Sequence, residues 1–214
     1  MPAASRGACD DAAPPPAARG RGVTPPLLLA SASPRRLELL AQIGLAPDLV
    51  APSEVDETPL RAEAPRAHAL RLALEKARVA AARHPGHVVL AADTVVAAGR
   101  RILGKPTSRQ DAERMLRLLS GRRHRVWTAV AVVAPGQPAR TRLVGTIVTF
   151  QRLTDQQVAA YLDSGEWDGK AGGYDLRGRV AAFVRFLSGS HSAVVGLPLF
   201  ETAQLLRGIG WLRP

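Results

Sequence analysis

Large apolar side chains first gather at Leu27-Leu28-Leu29-Ala30, a continuous run too short for a helix that reads as a buried β-strand. The period then changes. Leu37, Leu39, Leu40 and Ile43 fall at helical spacing, with Ser33 before them as N-cap, Pro34 as first helical residue and Gly44 as terminator. A second helix is predicted from about Arg66 to Arg83. Residues 87–92 are again continuously apolar, ending the strand at Asp93, and residues 95–98 extend it. Ser108, with Asp111 three residues on, opens a third helix that stops at Gly121. Residues 126–133 and 143–150 alternate with the two-residue period of strands. Thr154 and Gln157 cap a short fourth helix. A glycine-rich loop over 165–178, a strand over 180–187 and a helix over 198–207 complete the chain. Strands and helices alternate at both ends while consecutive strands fill the middle, which predicts an α/β fold with a mixed sheet.

Residues 1–24 stand apart. They are mostly Ala, Pro, Gly and Arg with almost no large apolar side chain, so ordering them costs entropy that no burial repays. A disordered tail over 1–24 and a folded domain over 25–214 are expected. The opening segment lacks the apolar core of a secretory signal, and no apolar run approaches the ~20 residues that span a bilayer, so no membrane association is expected. The single cysteine, Cys9, cannot close an internal disulfide, and the expected location is cytoplasmic. The formal charge of +11 would draw any polyanion to the surface. Aromatics are only 4% of residues and the arginines are scattered, so nucleic acid is not the expected partner; a phosphate-rich small ligand accounts for the charge as well. Monomer and homodimer both stay open.

Five segments carry candidate chemistry. In Ser31-Ala32-Ser33-Pro34-Arg35-Arg36, two arginines occupy the first turn of a helix, where the positive end of the dipole disfavours each by about 0.3–1 kcal/mol when exposed. A bound anion removes the conflict: the hydroxyls of Ser31 and Ser33, free backbone N–H groups and two guanidinium forks form a phosphate cradle. A capped surface helix with two solvated arginines fits the residues equally well. Asp93-Thr94 closes an apolar strand, where a carboxylate is placed to hold a metal or act as a general base, or simply to cap the strand's end. The acidic run Glu54-Val55-Asp56-Glu57 supplies hard oxygen ligands for Mg²⁺, or a solvated loop. Gly104-Lys105-Pro106 matches a phosphate-loop spacing with Gly99, but Pro106 takes the Ser/Thr position and Gly99-Arg100 reads as a hairpin turn. Lys105 is still free to neutralise a phosphate, whereas Lys76, mid-helix beside Glu75, reads as a surface lysine. In the loop 169–178, glycines allow close approach to a ligand, and Tyr174 or Arg177 could stack on or bond to a base. His191 has no Cys or His at ligand spacing and reads as structural.

Taken in order, these segments resemble the Maf family of nucleotide pyrophosphatases over about residues 27–212. The blocks are Leu-Ala-Ser-Ala-Ser-Pro-Arg-Arg (29–36), Ser-Glu-Val-Asp-Glu (53–57), Glu75-Lys76-Ala77, Ala92-Asp93-Thr94-Val95-Val96, Leu-Gly-Lys-Pro (103–106), Met115-Leu116 through Leu119-Ser120-Gly121, Lys-Ala-Gly-Gly-Tyr (170–174) and Val-Val-Gly-Leu-Pro-Leu (194–199). The resemblance implies an elongated α/β fold, shared with inosine triphosphate pyrophosphatases, whose mixed sheet has flanking helices and a cleft between two lobes. It also implies hydrolysis of a nucleoside triphosphate to the monophosphate and pyrophosphate with a divalent cation, Mg²⁺ or Mn²⁺. On the family pattern the catalytic acid falls on Asp93, the metal-associated glutamate on Glu54, and phosphate-neutralising residues on Arg36, Lys76 and Lys105. In the dTTP/UTP branch, selectivity positions fall on Arg35, Thr94 and Arg177; the first two match, while the third is usually glutamine, which can donate and accept where arginine only donates. The family name also carries a rival reading, a non-enzymatic regulator of cell division. The intact set Glu54, Lys76, Asp93 and Lys105 favours the enzyme.

Overall fold

In the computed structural model, residues 24–213 are described, and the tail expected over 1–24 lies, apart from Thr24, outside the described residues. The eleven-residue strand β3 (Val88–Ala98) is the spine of the fold. Before it come β1 (Leu27–Leu29), α1 (Pro34–Gln42), β2 (Leu49–Val50) and α2 (Pro65–Arg83); after it come β4 (Arg101–Leu103), α3 (Arg109–Leu119), β5 (Arg123–Val133), β6 (Arg140–Phe150), α4 (Asp155–Asp163), β7 (Val184–Ser188), α5 (His191–Val195) and α6 (Leu199–Gly208). The strands form one sheet in the order β2-β1-β3-β5-β6-β7, with β4 also paired to β3. β1 runs parallel to β2 and β3, while β3, β4, β5, β6 and β7 pair antiparallel. The mixed sheet follows from the connections: helical crossovers join the parallel strands, and short turns join the long consecutive ones.

Burial on both faces explains the continuous apolar character of β1 and β3. On one face, Leu28, Val89, Ala91 and Val95 pack against the alanine row Ala69, Ala73, Ala77 and Ala80 of α2. Small side chains let that helix lie close to the sheet. On the other face are two separate clusters: Leu27, Leu29, Leu90 and Ala92 pack with α1 and α6, and Val96, Val126, Val148 and Phe150 pack with α3 and α4. Thr94 and its cross-strand partner Thr128 lie between them along the same strands.

Two of the three predicted caps form: Ser108 Oγ accepts from Asp111 N–H at 3.1 Å, and Thr154 with Gln157 makes a reciprocal capping box. Gly99-Arg100 is a hairpin turn, with Ala98 opposite Arg101 and Gly99 at φ 62°. The strand expected over 180–187 is displaced: residues 179–183 form 3₁₀ turns and pairing begins at Val184. β5 and β6 start earlier than expected because arginines among their first three residues pair in the ladder while their side chains stay in solvent. The two-residue β2 and the short α5 carry too little periodicity to be read from sequence.

Candidate active site

Asp93 does not end a strand. β5 pairs with β3 continuously from Val89 to Ala97, but on the opposite edge β1 covers Val88 to Leu90 and β4 covers Val96 to Ala98. Residues 91–95 therefore present an open edge in mid-sheet. Successive side chains point to opposite faces, so Asp93 turns toward α2 while Thr94 turns between the two clusters on the far side. A cleft of about 730 Å³ opens at this gap.

The elements around the gap bring nine predicted residues to the cleft wall: Ser31, Ser33, Arg35 and Arg36 from the β1–α1 junction, Lys76 from α2, Asp93 and Thr94 from β3, Lys105 after β4, and Arg177 from the glycine-rich loop. Gly172 holds that loop in place. Its φ is 70°, an added Cβ would sit 2.8 Å from Val96 Cγ1, and its N–H donates to the Gly104 carbonyl at 2.9 Å, so only glycine packs here.

Lys76 is not a surface lysine. Its residue is 9% exposed, and Nζ donates to Asp93 Oδ1 and to Glu57 Oε1, both at 2.6 Å. The surface reading failed because α2 lies against the sheet along its whole length, which a local pattern of Glu75 and Lys76 does not reveal. Lys105 Nζ reaches Glu57 Oε2 at 3.3 Å. Burial pushes the Glu57 carboxyl up, but Lys76 and Lys105 outweigh it and hold it below the usual glutamate range.

Glu54 is exposed and does not line the cleft; Glu57 of the same acidic run does. Residues 51–60 have no regular structure, so no periodicity indicated which acid would turn inward. Among the described residues no three His, Cys, Asp or Glu side chains gather to hold a metal. Asp93 and Glu57, set against the ammonium groups of Lys76 and Lys105, nevertheless supply the one or two carboxylates that a hard divalent cation uses, completing its shell with water and substrate oxygens.

The cradle is organised without its cap. Ser33 occupies the N-cap position of α1, yet its hydroxyl makes no capping bond and no acid sits in the first turn. Ser31 Oγ instead accepts from Ser33 N–H at 3.2 Å and from Arg36 Nη1 at 2.8 Å. Arg36 Nε donates to the Gly196 carbonyl at 2.9 Å. Burial lowers the Arg36 pKa, opposed by the field of Asp93. Beyond it, Arg35 and Arg177 each approach Asp175 Oδ2 at 3.4 Å, and Arg177 also pairs with Glu38 of α1. Thr128 Oγ1 donates to the Ala193 carbonyl at 2.7 Å and lies 3.2 Å from Thr94 Oγ1.

A cleft at an interrupted sheet edge, lined by a helix start, three arginines and three lysines beside the buried Asp93 and the exposed Glu57, defines an α/β protein shaped to bind a phosphate-rich anion. The Maf-like protein family matches residues 26–209, and the chain belongs to that family. It is 60% identical over 187 residues to the dTTP/UTP pyrophosphatase of Caulobacter vibrioides, covering 87% of this chain and 97% of that one. It is 59% identical over 186 residues to the dTTP/UTP pyrophosphatase of Sphingopyxis alaskensis, with the same coverage of 87% and 97%. A crystal structure of a nucleoside-triphosphatase / dITP/XTP pyrophosphatase from Mycobacterium abscessus overlaps it with a TM-score of 0.37 at 18% identity, over 59% of this chain and 73% of that one, too slight a likeness to carry an argument.

Proposed function

We propose that this chain hydrolyses nucleoside triphosphates between the α- and β-phosphates, releasing the nucleoside monophosphate and pyrophosphate, with dTTP and UTP as its substrates. The observation that carries the reading is the Lys76 ammonium shared by Asp93 and Glu57 at the open edge of β3, facing the serine–arginine cradle. The similarity to dTTP/UTP pyrophosphatases supports the substrate class.

Asp93 accepts the proton of a water as its oxygen attacks the α-phosphorus; the bond to the bridging oxygen breaks and pyrophosphate leaves. Lys76 keeps the Asp93 carboxylate oriented and, with Arg36 and Lys105, offsets charge on the phosphate oxygens. The hydroxyls of Ser31 and Ser33 and the N–H groups opening α1 receive the phosphate chain. A divalent cation, Mg²⁺ or Mn²⁺, supplies further neutralisation of those oxygens when bound, and Asp93 with Glu57, rather than Glu54, would hold it. Base choice is assigned to Thr94 and Arg35, which line the same cleft and match the selectivity positions of the dTTP/UTP branch. The lone cysteine supports a cytoplasmic setting, and among the described residues no helix is long and apolar enough to cross a membrane.

The test is a panel of ribo-, deoxyribo- and modified triphosphates assayed for phosphate with and without added inorganic pyrophosphatase, in Mg²⁺ and in Mn²⁺. Release that depends on the coupling enzyme supports the reading. Release without it points to γ-phosphate cleavage, and no release from any triphosphate removes the enzymatic reading.

A further inference from the structure

The acid that reaches Lys76 stands on a segment with little to hold it. Residues 51–60 contain no helix or strand, and a segment of this kind keeps one conformation only if contacts outside it offset the lost entropy. The turn that follows is itself disfavoured: Ala62, at φ 60°, is the one non-glycine residue with positive φ among the described residues. Something beyond local preference fixes this geometry.

Arg71 of α2 is placed to do so. Its guanidinium makes a bidentate pair with Glu63, Nε to Oε1 at 2.8 Å and Nη2 to Oε2 at 2.9 Å. Nη2 also donates to the carbonyl of Thr58, the residue after Glu57, at 3.1 Å. Nη1 reaches Glu75, the residue before Lys76, at 3.2 Å. Glu63 in turn accepts from Leu60 N–H at 3.0 Å and lies 2.8 Å from His68 Nδ1. One planar fork thus joins the peptide beside Glu57 to the helix turn that carries Lys76.

We propose that Arg71 is a positioning residue for the cleft: through Glu63 and the Thr58 carbonyl it sets loop 51–64 so that Glu57 meets Lys76. The proposal rests on the reading that Glu57 serves the reaction, and lysine cannot replace the fork, because a single ammonium lacks the paired, coplanar donors. A staple that merely adds stability would act equally whatever stands at position 57.

The experiment is a double-mutant cycle on the full chain, combining Arg71→Lys with Glu57→Gln, with Glu63→Gln in parallel as a second way to open the fork. Folding is checked by circular dichroism and thermal unfolding. Arg71→Lys is expected to lower kcat by about tenfold in the wild-type background and by less than about twofold once Glu57 is gone. Amide exchange in residues 51–60 is expected to speed up in both single variants at positions 63 and 71, with α3 and β5 unchanged. Equal losses in both backgrounds, or exchange in the loop no faster than wild type, overturn the proposal. Should the wild-type chain hydrolyse no triphosphate, the exchange measurement still decides the role of Arg71 in the loop, while the functional reading fails separately.

Discussion

Lys76 and Asp93 form a buried ion pair with Nζ 2.6 Å from Oδ1, and each side chain is 11% exposed. Seventeen residues separate them, yet α2 and β3 are adjacent layers, so the helix delivers its ammonium to the one stretch of β3 without a neighbour on its open edge. The pair has a second consequence: a variant that removes either charge tests stability and chemistry together.

Asp93→Asn is expected to cut turnover by about a hundredfold or more, the range for losing a general base. It also replaces the charge facing Lys76 with a neutral amide whose oxygen can still accept from Nζ, so stability should fall by about 1–3 kcal/mol, the scale of a weakened hydrogen bond to a charged group. Steady-state kinetics and urea unfolding on one preparation check both. Near-normal turnover would move the base elsewhere.

Arg36→Ala separates helix electrostatics from tertiary contacts. Removing a cation from a helix N-terminus would by itself stabilise the protein slightly. Arg36, however, ties α1 to the Gly196 carbonyl and to Ser31. The melting temperature should therefore drop, and triphosphate turnover should fall at least ~10-fold through loss of a charge-assisted contact. A raised melting temperature with unchanged kinetics would return Arg36 to the role of a solvated surface residue.

Glu57→Gln and Glu54→Gln discriminate between two acids three residues apart. The first should raise the Mg²⁺ or Mn²⁺ concentration needed for half-maximal rate by about tenfold, since a carboxylate ligand becomes a neutral amide. The second should change it less than about twofold, because Glu54 lies outside the cleft that Glu57 lines. Metal titrations after chelator treatment give the comparison, and the opposite order would restore Glu54 as the metal-associated acid.

Arg177→Gln addresses base choice. The guanidinium is already engaged by Glu38 and Asp175, so the swap should leave the preference among dTTP, UTP, CTP and GTP unchanged within about twofold, against the ~1–3 kcal/mol that a direct base contact carries. Competition assays with mixed triphosphates measure the ratios. A sharper preference for dTTP and UTP in the variant would show that position 177 does read the base.

Glu63 predicts a pH signature. Its carboxyl is held at about 2 against an ordinary 4.5, chiefly by hydrogen bonds from Arg71 and with burial opposing. A depressed pKa contributes stability that is full above the unfolded value and disappears as pH falls through the folded one, so wild-type stability should decline between about pH 5 and pH 2. Glu63→Gln should be less stable at neutral pH and show a shallower decline across that window. Parallel acid-denaturation slopes in the two proteins would sever Glu63 from this dependence.

The sequence alone determined what is local or repeated at short period. Ser108 and Thr154 announce their helices because capping is settled within four residues, Gly99 its turn because the hairpin closes there, and the apolar runs their strands because burial on two faces leaves no polar positions. The order of the motif blocks fixed the family for the same reason, being written along the chain. Tertiary structure decided the rest. The gap in the edge of β3 exists only because β1 and β4 cover different parts of it, so Asp93, read as a strand end, stands in mid-strand. Lys76 became a buried bridge because α2 crosses that gap, and Glu57 rather than Glu54 lines the cleft on a loop whose Thr58 carbonyl accepts from Arg71 of another element. Each of these depends on residues distant in the chain brought within hydrogen-bond reach, and neither spacing nor composition encodes a distance of that kind.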